Sequence, residues 1–451
     1  MRWGQRYRAT ALLAAVALAT AAAPLRAQDD GGLRAGLTLT PGLAYEDDSD
    51  PRFRARLGFG AELSSQTRSQ SFALSLRGAL EPAGRPRTLS DALRDPVLSL
   101  SYGLERRNSA LTASASYRRA RISTLFLDDS LGEDVLTLLP GEGRRSDLDA
   151  RAALTLGREA PFGAVLDLSY GQRRYSDTSD PGLRDEDRRG AGLALRFDID
   201  RRLRVTLAGR VQETDVSGGG TDLRRESVTL GAELAVNPTL TLGAGLGAVR
   251  ITETTGPVER LREGGTWDVS MVQELPDGSL SARMGSQLTT AGRLDTLRID
   301  RVMELPRGTL GFGGGVARQG GGDPQPQVGL VWQHNASPTA RLRLSLDRAL
   351  RVTDAGEAGI DSRLGLSWQQ EIDPLSRLGL GLNLRQTGPV GGGSAAESQQ
   401  AALTLDWRRS LTPDWALRSS YTHRWTRTSG TSDRRDNDVF LGLERSFQWR
   451  P

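Results

Sequence analysis

From residue 33 onward the chain alternates apolar and polar side chains in stretches of about ten residues, the length of a membrane-crossing strand. Leu33, Ala35, Leu37 and Leu39 open the pattern. Phe53, Ala55, Leu57, Phe59, Ala61 and Leu63 follow, with Arg52, Arg54, Arg56, Gly58, Gly60 and Glu62 in the gaps between them. A period of two places opposite chemistry on opposite faces of a strand, and helical spacing of three and four does not fit it. The alternation returns at Leu98/Leu100/Tyr102/Leu104, Leu148/Ala150/Ala152/Leu154/Leu156, Val228/Leu230/Ala232/Leu234 and Ala401/Leu403/Leu405/Trp407.

The connections alternate in length. Short ones, several a turn-former followed by Pro (Asn237-Pro238, Ser337-Pro338, Asp373-Pro374, Thr412-Pro413), fix φ where a strand begins. Between them lie longer polar stretches, among them 82–96, 122–146, 214–224 and 252–263. Short turns at one rim and long loops at the other are the asymmetry of a membrane barrel. The pattern therefore predicts an all-β, antiparallel up-and-down transmembrane β-barrel of about 22 strands, within a range of 18–22. The segment 264–305 fits least well, because Arg301 falls on the apolar face, and a bulge or a miscounted strand is expected there. Glu274-Leu275-Pro276-Asp277-Gly278 returns as Glu304-Leu305-Pro306-Arg307-Gly308, as hairpin duplication would leave it.

The first 27 residues read differently. Arg2, Arg6 and Arg8 precede an apolar run from Ala11 to Ala23, and Ala27 offers a small residue at the cut. This is the pattern of a cleaved secretion signal, too short for a transmembrane helix. It predicts a signal peptide over 1–27 and a single barrel domain over 28–451. The first strand begins within six residues of the cut, so no N-terminal plug domain is expected.

Charge removes one class of function. All four basic residues of the signal are Arg, so the remaining chain balances fifty-five basic against fifty-five acidic groups. That balance leaves a nucleic-acid partner without its electrostatic footprint. No cysteine is present, which excludes disulfides, thiolate metal sites and lipid attachment through sulfur. Aromatic residues are only 5% of the chain, yet many fall near predicted strand ends. Tyr45, Phe53, Tyr117, Trp267 and Trp425 lie toward the long-loop rim; Phe72, Trp332, Trp368, Trp407, Trp415, Phe447 and Trp449 lie toward the other. Two such belts suit amphipathic rings at membrane interfaces.

Over its length after the signal, the chain resembles Gram-negative outer-membrane β-barrel (porin-like) proteins. The last strand, Val439 to Trp449, is similar to the C-terminal signal such proteins present to the barrel-insertion machinery, with Phe447 and Trp449 as its aromatics. Arg450 and Pro451 follow where the family usually ends on the aromatic. The opening Gly42-Leu43-Ala44-Tyr45-Glu46-Asp47-Asp48 also resembles, over a short stretch, porin-like barrels linked to envelope polysaccharide export. The resemblance implies an outer-membrane location, with membrane lipid, lipopolysaccharide and the insertion machinery as partners.

Candidate chemistry is sparse. His334 and His423 are the only histidines, one against a short turn and one on a face shared with Tyr421 and Trp425, so no catalytic residue is assigned. Gly243, Gly245 and Gly247 lie inside an alternating strand with no helix after them, which fails the context of a nucleotide-binding turn. The acidic run Glu46-Asp47-Asp48 lacks the ligand spacing of a metal site and reads as solvated loop. No cofactor is called for.

The polar face is more informative. Arg52, Arg54, Arg56, Arg151, Arg196, Arg204, Arg210, Arg341 and Arg343 alternate against apolar neighbours, as do Asp149, Asp167 and Glu233. On the lipid side each would cost roughly 2–4 kcal/mol near mid-membrane, so they are expected to line the lumen. The stretch 122–146 is the longest loop and is unusually apolar. It is expected to fold inward and narrow the pore, with Phe126 among its apolar residues and Asp128, Asp129, Glu133 and Asp134 toward the arginines. The expected function is a channel passing polar or anionic solutes, or exporting an envelope polymer, through an Arg-rich lumen. The alternative is a non-conducting barrel acting through its loops in adhesion or envelope architecture.

Overall fold

The computed structural model describes residues 32–47, 52–81, 92–122, 143–178, 183–352, 358–390, 397–429 and 433–449. The predicted signal peptide, and the loop residues Phe126, Asp128, Asp129, Glu133 and Asp134, lie outside them.

The described residues form twenty-two strands. The first eight are β1 (Arg34–Asp47), β2 (Arg52–Gln66), β3 (Gln70–Leu80), β4 (Leu93–Arg106), β5 (Ser109–Arg121), β6 (Arg144–Leu156), β7 (Phe162–Ser176) and β8 (Glu186–Asp198). Next come β9 (Leu203–Val216), β10 (Thr221–Asn237), β11 (Leu240–Thr255), β12 (Val258–Leu275), β13 (Gly278–Thr289), β14 (Gly292–Leu305) and β15 (Gly308–Gln319). The last seven are β16 (Gln325–Ser337), β17 (Ala340–Val352), β18 (Ala358–Asp373), β19 (Ser376–Pro389), β20 (Ser398–Ser410), β21 (Trp415–Thr428) and β22 (Arg434–Trp449).

Each strand pairs antiparallel with the next, and β22 returns to β1, so the sheet has no free edge. At the seam Ala35 faces Trp449 and Asp47 faces Asn437, which closes it from rim to rim. The strands tilt. Gly36 pairs with Glu62, and the line of partners runs on through Ser75, Ser99, Ser116, Asp149, Gly171, Arg188, Thr214, Leu223 and Glu253 to Arg260. Gly36 lies near the start of β1 at the short-turn rim, whereas Arg260 lies near the start of β12 at the opposite rim. The line climbs almost the whole wall in half a circuit, the stagger that a closed barrel requires. With neighbouring strands ~4.8 Å apart and tilted ~40°, a wall of this strand number encloses a cylinder about 40 Å across between backbones.

The barrel is inside out. Among the described residues forty-one large apolar ones are exposed, against twelve buried hydrophobic ones, so no conventional core holds the sheet they form. Phe53 is 77% exposed, Leu246 69% and Leu43 62%. Arranged in period two around a closed wall, they form an apolar belt that water would penalise and hydrocarbon would not.

The short turns are built alike. Asn237 Oδ1 accepts from the backbone N–H of Thr239 and Leu240, Asp200 Oδ1 from Arg202 and Leu203, and Asp373 Oδ1 from Leu375. These side chains close the turn where a following Pro or basic residue leaves amides unpaired. In the duplicated hairpins the demand falls on glycine. Gly278 has φ +131° and Gly308 +151°, and a Cβ at either would strike a backbone carbonyl of the next strand, Val302 or Gln333.

Two expectations change. The stretches 214–224 and 252–263 are largely strand, since β10, β11 and β12 run on past the membrane and β11 meets β12 across Gly256-Pro257. Nor does the segment 264–305 contain a bulge: β12, β13 and β14 pair there in unbroken register. Arg301 does face outward in line with Leu297 and Ile299, but near the strand end, where its guanidinium turns down to Asp277 in the short turn. A long arginine reaches the interface from that depth, so its charge never enters the hydrocarbon.

Candidate functional site on the lumen wall

The inward residues of this wall gather into separate charge clusters. The densest spans the seam at the long-loop rim. Glu46, on β1 and only 5% exposed, is surrounded by four arginines from three other strands: Arg54 and Arg56 on β2, Arg94 on β4 and Arg121 on β5. Arg56 also reaches Glu81 at 2.6 Å and Asp438 of β22 at 3.3 Å. Phe440 packs beneath the same guanidinium, over Gly42. For Glu81, just past the end of β3, burial alone would raise the carboxyl; Arg94 and Arg56 outweigh it and hold the group below its ordinary value. Glu46 was expected to be solvated loop. It is buried instead, because β1 continues through it and the strand period turns it inward.

A second cluster runs as a relay across β6, β7 and β8. Arg145 Nε donates to both oxygens of Asp147 (2.7 and 3.0 Å) and Arg173 Nε donates to one of them (3.1 Å). Arg173 then meets Glu186, which also accepts from Arg188 at 3.0 Å. A third is tighter and smaller: Asp361, 1% exposed, is held by Arg363 and by both ends of the Arg385 guanidinium.

The sequence-predicted residues divide among these places. Arg54 and Arg56 belong to the seam cluster. Asp149, Arg151, Asp167 and Arg210 lie along the wall of β6–β9, lining two adjoining cavities of about 560 and 730 Å³. Arg196 serves the lower rim, donating to the carbonyls of Gly157, Arg158 and Ala160 in the β6–β7 turn. Arg204 joins Asp198 at 2.7 Å and approaches Glu233. Arg341 and Arg343 face inward on β17, across register from the outward line of Leu342 and Leu344. Arg52 is placed only through its backbone, opposite Glu46. Sequence reasoning missed Glu46, Glu81, Arg94, Arg145 and Asp361 as partners. All sit at the loop ends of strands, where the alternation had been read as finished; only charge parity with the strand below could have marked them.

The remaining singled-out residues have plain roles. His334 stacks on Trp332 at 5.3 Å, and His423 Nδ1 shares Asn437 Oδ1 with the Tyr421 hydroxyl. Gly243 and Gly245 make room on β11 for the inward side chains of Ser270 and Asp268 on β12, and a Cβ at Gly247 would strike the Val228 carbonyl and Thr229 of β10. Among the described residues no group of three His, Asp or Glu side chains is arranged to hold a metal ion. Phe447 and Trp449 stack on each other at the seam, with Arg445 lying over Phe447.

No family model matches the sequence, and neither does any curated protein. Solved structures do match in fold. The FrpB iron transporter of Neisseria meningitidis (F3-3 variant) superposes with a TM-score of 0.60 at 11% identity, covering 93% of this chain and 82% of that one. A mutant of the ferric enterobactin receptor PfeA of Pseudomonas aeruginosa gives 0.56 at 12%, with 93% and 81% covered. The chain has the fold of a Gram-negative outer-membrane β-barrel. The copper transporter OprC, at 0.51 and 12% identity with 93% and 80% covered, belongs to the same set of transporters and receptors. Those proteins correct one expectation. A barrel without an N-terminal plug was anticipated, but the neighbours are outer-membrane receptors of a kind that carries an N-terminal plug.

Proposed function

We propose that this chain is an outer-membrane transport barrel, exported by its cleaved N-terminal signal, which admits polar and anionic solutes to an ionised lumen. One observation carries the reading: a closed wall with an apolar exterior has charged and hydroxyl side chains on its inner face at almost every level. Arg151, Asp149, Asp167, Arg210, Arg341 and Arg343 stand on that face within the wall, away from the seam. A purely structural lattice would tie such groups in pairs, as at Asp361. Charges left along a wet wall set which solutes pass. The fold likeness to transporters and receptors supports carriage over adhesion.

Proteoliposomes provide the test. The purified barrel should release a small polar solute and carry ionic current in planar bilayers, and Arg341→Glu with Arg343→Glu should shift the preference toward cations. A correctly folded barrel with neither efflux nor current would leave the non-conducting reading.

A further inference from the structure

The wall between β3 and β8 carries a feature that closing a barrel does not require. Serines occupy the inward positions of two neighbouring strands: Ser99 and Ser101 on β4 pair across with Ser116 and Ser114 on β5. They floor the cavity of about 560 Å³, within the roughly 300–1,000 Å³ usual for small-molecule sites. Its far side is the relay of β6–β8, with Arg145 and Arg151 among the lining residues. Arg145 is 2% exposed, and although Asp147 takes its Nε, its buried Nη2 has no hydrogen-bond partner. A guanidinium N–H left unpaired in a buried setting costs free energy that an incoming acceptor would recover. Arg151 stands lower on the same strand, directly across from Ser114 and Ser169.

We propose that this cavity is a binding site for a polyhydroxylated anion, a sugar acid, as the solute class of the transport reading above. The acid group would accept from Arg151, beside the serine floor, since charged donors match carboxylate oxygens best, and a hydroxyl at the far end of the sugar would accept from Arg145 Nη2. The four serines supply hydroxyls that both donate and accept, the counterpart of a sugar's own hydroxyl groups. Neutral sugars would offer the arginines only uncharged hydroxyl acceptors, and simple anions would leave the serine floor unused.

Binding is measured directly on the full-length barrel in detergent by titration calorimetry, with glucuronate as probe and glucose and acetate as controls. Glucuronate should bind, and both controls should bind at least tenfold more weakly. Arg151→Gln, at an exposed position that leaves the wall intact, should weaken glucuronate about tenfold, the scale of one charge-assisted hydrogen bond. Ser101→Leu with Ser114→Leu should abolish binding by filling the floor. Arg307→Gln, in the short turn between β14 and β15, should change nothing; heat-modifiable migration verifies that each variant is folded. Equal binding of acetate and glucuronate would overturn the sugar part of the proposal, and no glucuronate binding would overturn all of it. Because binding is read without flux, a barrel that conducts but does not bind refutes this site alone, and one that binds but does not conduct refutes the transport reading alone.

Discussion

The seam where β22 meets β1 and the wall of β10–β12 use the same residues to opposite effect. On β10 and β11, Arg224 pairs with Glu226 and Arg250 with Glu263, in cross-strand or same-strand contacts about half exposed to water. Such pairs contribute roughly 0–1 kcal/mol. At the seam, Glu46, Arg56 and Arg94 have side chains only 6%, 15% and 12% exposed and interlock five strands, β1, β2, β4, β5 and β22, with the Glu81 segment. The difference follows from chain connectivity. Strands β10, β11 and β12 are joined by tight turns that fix their register, whereas β1 and β22 meet from opposite ends of the sequence and have only hydrogen bonds and side chains to align them. Pro41 lacks an N–H, and the pairing of β1 with β22 skips from Leu39 to Gly42. The ion cluster lies just above that gap.

The comparison is broken most severely by Glu46→Ala, which would leave four guanidiniums around a buried void. Removing one partner of a buried pair costs about 3–5 kcal/mol, so the folded, heat-modifiable band should be lost at markedly lower temperature than in the parent. Next in size is Gly308→Val. The left-handed φ and the Gln333 carbonyl both oppose a side chain there, and a loss of about 1–3 kcal/mol is expected in denaturant titrations. Acid should weaken the seam. The folded-state carboxyl of Glu81 lies below its ordinary 4.5, so the stability it adds is complete above the unfolded value and is lost as pH falls through the lower folded one. Thermal melts between pH 7 and pH 3 should show that decline, and Glu81→Gln should flatten it. The smallest effect belongs to Arg250→Gln on the far wall, which should alter stability by less than about 1 kcal/mol.

Much of this architecture was written in the period-two pattern. The strand number, the short turns and the inward direction of Arg54, Arg56, Asp149 and Arg151 follow from alternation, because a closed two-faced wall allows no other placement. What alternation cannot carry is partnership. Glu46 and Asp438 are nearly the length of the chain apart, and their shared arginine became visible only when β22 returned to β1. The loop ends of β10–β12 were misread for a related reason: outside hydrocarbon both faces are polar, so the strand continues without an apolar signature. Arg301 looked like an error of counting until the length of its side chain was taken into account.

The central claim, lipid on one side of each strand and water on the other, is open to a cysteine scan because the parent chain has no cysteine. Leu166→Cys, Asp167→Cys, Leu168→Cys and Ser169→Cys step along β7 in reconstituted vesicles. A charged aqueous maleimide should label positions 167 and 169 quickly and leave 166 and 168 almost untouched, while a bilayer-dissolved quencher should show the reverse order. Uniform labelling of all four positions, or an alternation with the opposite phase, would contradict the account.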